Sequence, residues 1–522
     1  YEYGIMLAMA LHQLTDDESY LHESLQFSEK SKAILLLEAM KNSEAETYAG
    51  IPTEVISQID DLEVSITELE KKRYLIWQNL GQQQKGLLDS LDNLIFDRKQ
   101  QVTQEITRVE KEYPQYYELR YNTSTVSVAE TQKTLLTSNR TIVEYFLGTT
   151  NLYIFVLNKK DFQVIIVDID EQIYDWINIF DQTIKNFATV SSQDLSYALE
   201  SYSFAAHKLY NLLIEPIKPL LREQVVIIPD EELGFLSFGA FLSAYPDNHQ
   251  DIQAHHYLIL DHGLSYNYSI RLLKEMSRKK KNNKTSSYLG LAPQFKPNNT
   301  TGLTSLNYNS LEVQQINQLI KGELLLSEAA TKAKFLEVQS NYNVLHLATH
   351  GKANTAMGDY SFLAFSETAA STGNEALLFV KEIYNLSTNA DMVILSACET
   401  NVGELQKGEG IASIARSFSY AGAKSLVTTQ WSIDDKATCD LMQLFFQKLK
   451  KGQSKDLAMQ NAMVEMLKSS SKAKAHPYYW ASFVVVGDVE SLSLKSGVPL
   501  WIWGLAAVVL LLLIYFRPKD KI

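Results

Sequence analysis

Six short apolar runs between residues 288 and 489 constrain this chain most. They are "SYLGLAP", "GELLLSE", "YNVLHLAT", "ADMVILSA", "AKSLVTTQ" and "SFVVVGD". Amphipathic stretches lie between them, among them "SLEVQQINQLI", "ATKAKFLEV", "IASIARSFSYAG" and "TCDLMQLFFQKLKKG". A strand that is apolar along its whole length must be covered on both faces. Such strands alternating with helices therefore predict an α/β fold with a mainly parallel sheet flanked by helices. In sheets of this kind the chemistry gathers beyond the carboxyl ends of the strands.

Upstream, residues 138–276 form a second strand-rich unit. "TIVEYFLG", "NLYIFVLN" and "FQVIIVDI" read as a meander, followed by a helical stretch, the buried strand in "QVVIIPDEELGFLSFGAFLS", and a last strand and helix in "YLILDHGLSYNYSIRLLKEM". The run "SRKKKNNKTSS" (277–287) separates the two halves. Its interleaved Asn and Ser make it a solvated basic linker rather than a nucleic-acid or anionic-lipid patch. At the front, residues 1–50 carry two helices with recurring small and aromatic positions, a tetratricopeptide-like pattern. In 51–137, Val55, Ile59, Leu62, Ile66 and Leu69 alternate by four and three. After the turn "GQQQKG", Leu87, Leu91, Leu94, Val102, Ile106 and Val109 return. So few unbroken heptads predict an intramolecular helical hairpin rather than an intermolecular coiled coil, with Pro114 ending it.

Residues 498–516 (VPLWIWGLAAVVLLLLIYF) carry no charge over 19 residues. At helical rise they span about 28 Å, the thickness of a bilayer's hydrocarbon core. Trp501, Trp503 and Tyr515 sit near the ends, where amphipathic rings favour the interface. We expect a single-pass transmembrane helix. The basic tail 517–522, with Arg517, Lys519 and Lys521, favours a cytoplasmic C-terminus and domains outside the cytoplasm. That orientation needs an export signal ahead of Tyr1, and the chain reads as the later part of a longer protein. A net charge of −13 argues against a nucleic-acid partner, and two cysteines exclude a disulfide framework or a cysteine-rich zinc module.

Those two cysteines and two histidines hold the candidate chemistry. His350 follows the strand in "NVLHLATHGK"; Cys398 ends the strand in "DMVILSACETNVG", 48 residues later. Taken singly, a histidine after a strand merely finishes it, and a buried cysteine is a small hydrophobe. On neighbouring parallel strands, however, the two emerge on one edge, and an imidazole beside a thiol makes the thiolate that a nucleophile requires. Caspase-type proteases space histidine and cysteine in this order by about 50 residues. Gly351 lets a substrate backbone approach, and its N–H with that of Cys398 can hold an oxyanion. His346 and His350 do not form a zinc pair: the glutamate an H-E-x-x-H site needs is Leu347, and the segment is a strand. His346 is expected in the core. In "TTQWSIDD", Trp431 and Asp434 are candidates to line the substrate pocket, although an Asp there also caps a helix. "KGEGIAS" lacks Walker spacing and reads as the entry to a helix over Ile411–Tyr420; Cys439 reads as packing.

Together, "VLHLATHG", "VILSACETNVGELQKGEGIASIARSFSYAGAKSLVTTQWSIDDKAT" and "HPYYWASFVVVGD" resemble the CHAT family, caspase-like cysteine peptidases that commonly follow tetratricopeptide repeats. The resemblance runs from about Val225 to Val489, and "FSEKSKAILLLEAM" is similar to the last repeat before such domains. It implies a caspase/separase-like fold, His350 as base and Cys398 as nucleophile. The caspase string Q-A-C-x-G is replaced here by Ser396-Ala397-Cys398-Glu399-Thr400, so aspartate specificity does not carry over. The expectation is a membrane-anchored cysteine endopeptidase acting on protein or peptide, with no metal or organic cofactor, regulated through a protein partner of the helical repeats. The alternative is a catalytically silent scaffold or signalling adaptor that binds partners through those repeats.

Overall fold

The computed structural model describes residues 1–32, 51–80, 84–113, 126–278, 287–354, 356–368, 373–397, 403–406, 410–471 and 474–494. Cys398, the apolar run 498–516, the tail 517–522, most of the 277–287 linker and the end of the tetratricopeptide-like region lie outside the described residues. No helix among the described residues is long and apolar enough to cross a membrane.

Helices α1 (Glu2–Thr15) and α2 (Ser19–Lys30) open the chain, and two 28-residue helices follow, α3 (Thr53–Leu80) and α4 (Lys85–Glu112). Ile51 and Ile59 pack against Val109, with Val55, Val102 and Ile106 beside them, so the four-and-three spacing produces an antiparallel seam. Helix α1 turns Ile5 and Met9 inward and α2 turns in Leu25; all three pack against Ile142, Phe146 and Phe155 of the sheet described next.

Strands β1 (Arg140–Leu147), β2 (Asn151–Leu157) and β3 (Phe162–Asp168) form the meander. Helices α5 (Gln172–Lys185) and α6 (Leu195–Leu213) lead to β4 (Gln224–Ile228) and β5 (Gly263–Tyr266). The second half supplies β6 (Tyr288–Pro293), α7 (Asn309–Leu319), β7 (Gly322–Ser327) and β8 (Val344–Ala348). Three short strands come next, β9 (Gly351–Lys352), β10 (Phe362–Ala364) and β11 (Leu377–Phe379), and then α8 (Val380–Ile383) and β12 (Met392–Ser396). The chain continues through β13 (Gly403–Gln406), β14 (Gly410–Ser413), α9 (Ile414–Tyr420), β15 (Ser425–Thr429), α10 (Asp435–Lys450), α11 (Lys455–Ser469) and β16 (Phe483–Gly487).

Eleven strands join into one sheet, ordered β3-β2-β1-β4-β5-β16-β15-β12-β8-β6-β7. The two strand-rich halves therefore share a sheet. Strand β16 is the splice, parallel to β5 and antiparallel to β15, and Gly487 (φ 91°) ends it where a Cβ would meet the Lys424 carbonyl at 2.6 Å. Strands β15, β12, β8, β6 and β7 run parallel and present one carboxyl edge. Strands β4, β8, β12, β15 and β16 are buried along their whole length, as continuous apolar sequence requires. One segment differs from its sequence reading. Helix α9 begins at Ile414, where Ser413 accepts the Arg416 N–H, and Gly410–Ser413 is instead a strand paired with β13. Glycines punctuating a tight hairpin and glycines preceding a helix look alike in sequence.

Candidate active site

Strands β8 and β12 are parallel neighbours in a register that aligns Ala348 with Ser396. The Thr349 N–H extends the pairing to the Ser396 carbonyl at 3.2 Å. His350 stands two residues beyond Ala348, and Cys398 is the same number beyond Ser396 in sequence. In a parallel pair, registered positions share a face, as Ala348 and Ser396 do at the carboxyl edge.

His350 is half-buried and held on both its backbone and its ring. Its carbonyl accepts the Ala364 N–H at 2.9 Å, which ties it to β10. Backbone groups alternate in direction along a strand. The Gly351 N–H therefore turns away from β10, toward the outer edge of the three-stranded sheet β11-β10-β9. On the ring, Nε2 lies 2.7 Å from the Thr304 carbonyl oxygen. A carbonyl can only accept, so Nε2 carries the hydrogen in this contact, and in the neutral ring Nδ1 is then the nitrogen with the free lone pair. The Phe295 ring meets the imidazole edge-on at 4.8 Å and fixes its plane.

The other candidates fall in different places. His346 is fully buried on β8, its Nε2 2.7 Å from Glu312 Oε1 and its Nδ1 3.1 Å from the Tyr288 hydroxyl. Trp431 is 3% exposed and its indole N–H donates to the Tyr478 carbonyl at 3.0 Å, which sets the ring in the core. Asp434 accepts the Ala437 N–H at 2.9 Å and caps α10. Cys439 is buried beside Gln315, and burial, helped by nearby Glu312, pushes its thiol up to about 12. That sulfur stays protonated at physiological pH.

Two features carried no signal in the sequence. The partner of His350 is a backbone carbonyl, which any residue would supply. The second is that α3 packs on the turn that precedes β10 and on α8, which follows β11. Tyr74 stacks on Tyr360 with ring centroids 3.6 Å apart, and the Tyr360 hydroxyl donates to the Glu70 carbonyl at 3.3 Å. Lys71 and Lys332 both reach Glu382 Oε1, at 3.1 and 2.6 Å; the Asn385 amide donates to Thr67 at 2.9 Å; and Lys381 pairs with Glu70.

A family model described as the CHAT domain matches residues 204–488. Tetratricopeptide repeat protein 28 of Mus musculus is 23% identical, over 35% of this chain and 9% of the relative. Its Homo sapiens counterpart is 22% identical over 35% and 8%, so the chain spans less than a tenth of the length of these curated relatives. Among solved structures, the Saccharomyces cerevisiae separase–securin complex is similar at 10% identity, covering 92% of this chain and 43% of that chain, with a TM-score of 0.44. The complex of Porphyromonas gingivalis RgpB pro- and mature domains is similar at 12% identity over 62% and 77%, with a TM-score of 0.36.

Proposed function

The chain belongs to the CHAT domain family, and from that premise we propose that it is a cysteine endopeptidase with Cys398 as nucleophile and His350 as base. The observation that carries this reading is the state of the His350 ring. With Nε2 committed to the Thr304 carbonyl, Nδ1 is the proton acceptor, on a chain leaving the sheet beside the strand that leads to Cys398. The neutral, buried Cys439 supports the same assignment.

In the proposed reaction His350 Nδ1 takes the thiol proton and the thiolate attacks the scissile carbonyl carbon. The carbonyl electron pair moves onto oxygen, where the Gly351 and Cys398 N–H groups hold it. Collapse breaks the C–N bond, and the leaving amine takes the proton from His350. Water, losing a proton to His350, then cleaves the thioester and frees the sulfur. No step calls for a metal or an organic cofactor.

The packing of α3 on Tyr360 supports a regulated enzyme. A partner that shifts the helical region moves β10, and β10 holds the His350 backbone through Ala364. We further propose membrane anchoring through 498–516, tested by whether the full-length chain partitions into detergent while a chain ending at Asp488 does not. The peptidase itself is tested by incubating the full chain with a peptide library and reading new termini by mass spectrometry. Defined cleavage sites that vanish in Cys398→Ala are expected; peptides left intact by the wild-type chain, or cut equally by Cys398→Ala, contradict it.

A further inference from the structure

Between Pro293 at the end of β6 and Asn309 at the start of α7, residues 294–308 form a strap across His350 that supplies both Phe295 and the Thr304 carbonyl. Few of its backbone groups can pair within a regular element, so its shape depends on outside anchors. Two carboxylates supply them, one on each side of Thr304. Upstream, Glu367 accepts the Thr300 N–H at 3.0 and 3.1 Å and the Thr300 hydroxyl at 2.5 Å. Downstream, a single oxygen of Asp435, the first residue of α10, accepts both the Asn307 and the Tyr308 N–H at 2.8 Å. The interior of the strap is closed by Asn299, whose side chain bonds the Leu303 carbonyl and N–H at 2.6 and 3.1 Å. Little slack remains around Thr304. Two residues lie between Thr304 and the Asp435 anchor at Asn307, and three lie between it and the Glu367 anchor at Thr300.

We infer that Asp435 is a positioning residue for His350, with Glu367 holding the other end of the same strap. By fixing Asn307 and Tyr308, the Asp435 carboxylate keeps the Thr304 oxygen on Nε2–H and so keeps Nδ1 as the basic nitrogen. Charge-assisted acceptors of two amides hold a loop more firmly than neutral ones, and a relaxed strap frees the ring to exchange tautomers. The adjacent Asp434 spends its carboxylate within α10, as a cap; Asp435 spends its own on the strap. The catalytic meaning of this inference rests on the peptidase reading, but the geometry can be tested without it.

The test uses the full chain labelled with ¹⁵N-histidine, with the His350 signals assigned by their loss in His350→Gln. The wild type is expected to show one protonated Nε2 and one unprotonated Nδ1 for His350. Asp435→Ala and Glu367→Ala should each move both nitrogens toward averaged values, while Asp435→Asn, which keeps an acceptor oxygen, should retain the wild-type pattern. The His346 signals, buried beside Glu312, report that each variant is folded; Glu367→Ala alters a surface loop and serves should Asp435→Ala fail to fold. Wild-type His350 signals in both alanine variants overturn the inference. In parallel, iodoacetamide alkylation of Cys398 should slow about tenfold in Asp435→Ala, the loss of roughly one hydrogen bond, and the limb of its pH profile that reports the imidazole should move to lower pH. A uniform drop at every pH with unchanged histidine signals means a structural role alone and also overturns it. If the tautomer shift appears while Cys398 reacts no faster than an ordinary thiol in the wild type, the positioning stands and the peptidase reading fails.

Discussion

His346 and Glu312 face each other at 2.7 Å with side chains 0% and 1% exposed, four residues before the histidine proposed as the base. Tyr288, whose hydroxyl burial keeps protonated far above its usual range, closes the other imidazole nitrogen. Removing one partner of such a pair strands the other without solvent. His346→Ala is expected to lower stability by about 3–5 kcal/mol, read from urea midpoints, while the alkylation rate of Cys398 in the folded fraction stays at the wild-type value. Lost reactivity at unchanged stability would move His346 into the active site.

The Tyr74–Tyr360 stack joins the helical hairpin to the turn before β10, the strand whose Ala364 N–H holds the His350 carbonyl. Such a pair contributes about 0.5–1.5 kcal/mol, so Tyr74→Ala and Tyr360→Ala should each reduce Cys398 alkylation severalfold without unfolding the sheet. Because both remove one contact, the double variant should lose no more than the worse single one. Additive losses would mean that the rings act separately and that the hairpin does not report to the site through them.

Burial, with His255 nearby, holds the His476 imidazole down to about 3, against 6.5 for the free side chain. Neutral His476 accepts the Tyr478 N–H and stacks on Phe187 at 3.6 Å. The unfolded chain takes up a proton below 6.5 and the folded chain does not. The stability it contributes is therefore complete above 6.5 and is lost as pH falls toward 3, by about 2 kcal/mol at pH 5. His476→Asn, which keeps an acceptor at the cap and does not titrate, should start less stable at neutral pH and decline less between 6.5 and 5. Parallel curves for the two proteins would contradict this.

The pocket proposal for Asp434 separates cleanly from its capping role. Asp434→Asn keeps a good cap and removes the charge. If Asp434 also lines the substrate pocket, the cleavage profile of the variant should lose any preference for Lys or Arg before the scissile bond, with stability within about 0.5 kcal/mol of wild type. An unchanged profile leaves Asp434 as a cap alone. Trp431, enclosed in the core, should act through stability.

How much of this was legible in the sequence depends on what carried the information. The β8 and β12 strands were readable because continuous apolar runs mean burial on both faces, and their parallel pairing put His350 at the expected edge. His346 was readable as core because it lies inside a strand that is apolar along its length and so buried on both faces. The hairpin seam was readable from Val55 and Ile59, but its docking on Tyr360 was not, since it rests on side chains almost 290 residues apart in the chain. Strands β9, β10 and β11 have two or three residues each, too few to show a period. The Thr304 carbonyl belongs to every residue type, and Asp435 stands beside a second aspartate that satisfies the usual capping signal.

The most direct test of the central claim is the reaction of the full chain with a peptidyl acyloxymethyl ketone, followed by peptide mapping. The account predicts a stoichiometric adduct on Cys398, none on Cys439, and a labelling rate that falls by orders of magnitude in His350→Ala because nucleophile and base act as a unit. An unlabelled Cys398, or one labelled equally fast without His350, would contradict it.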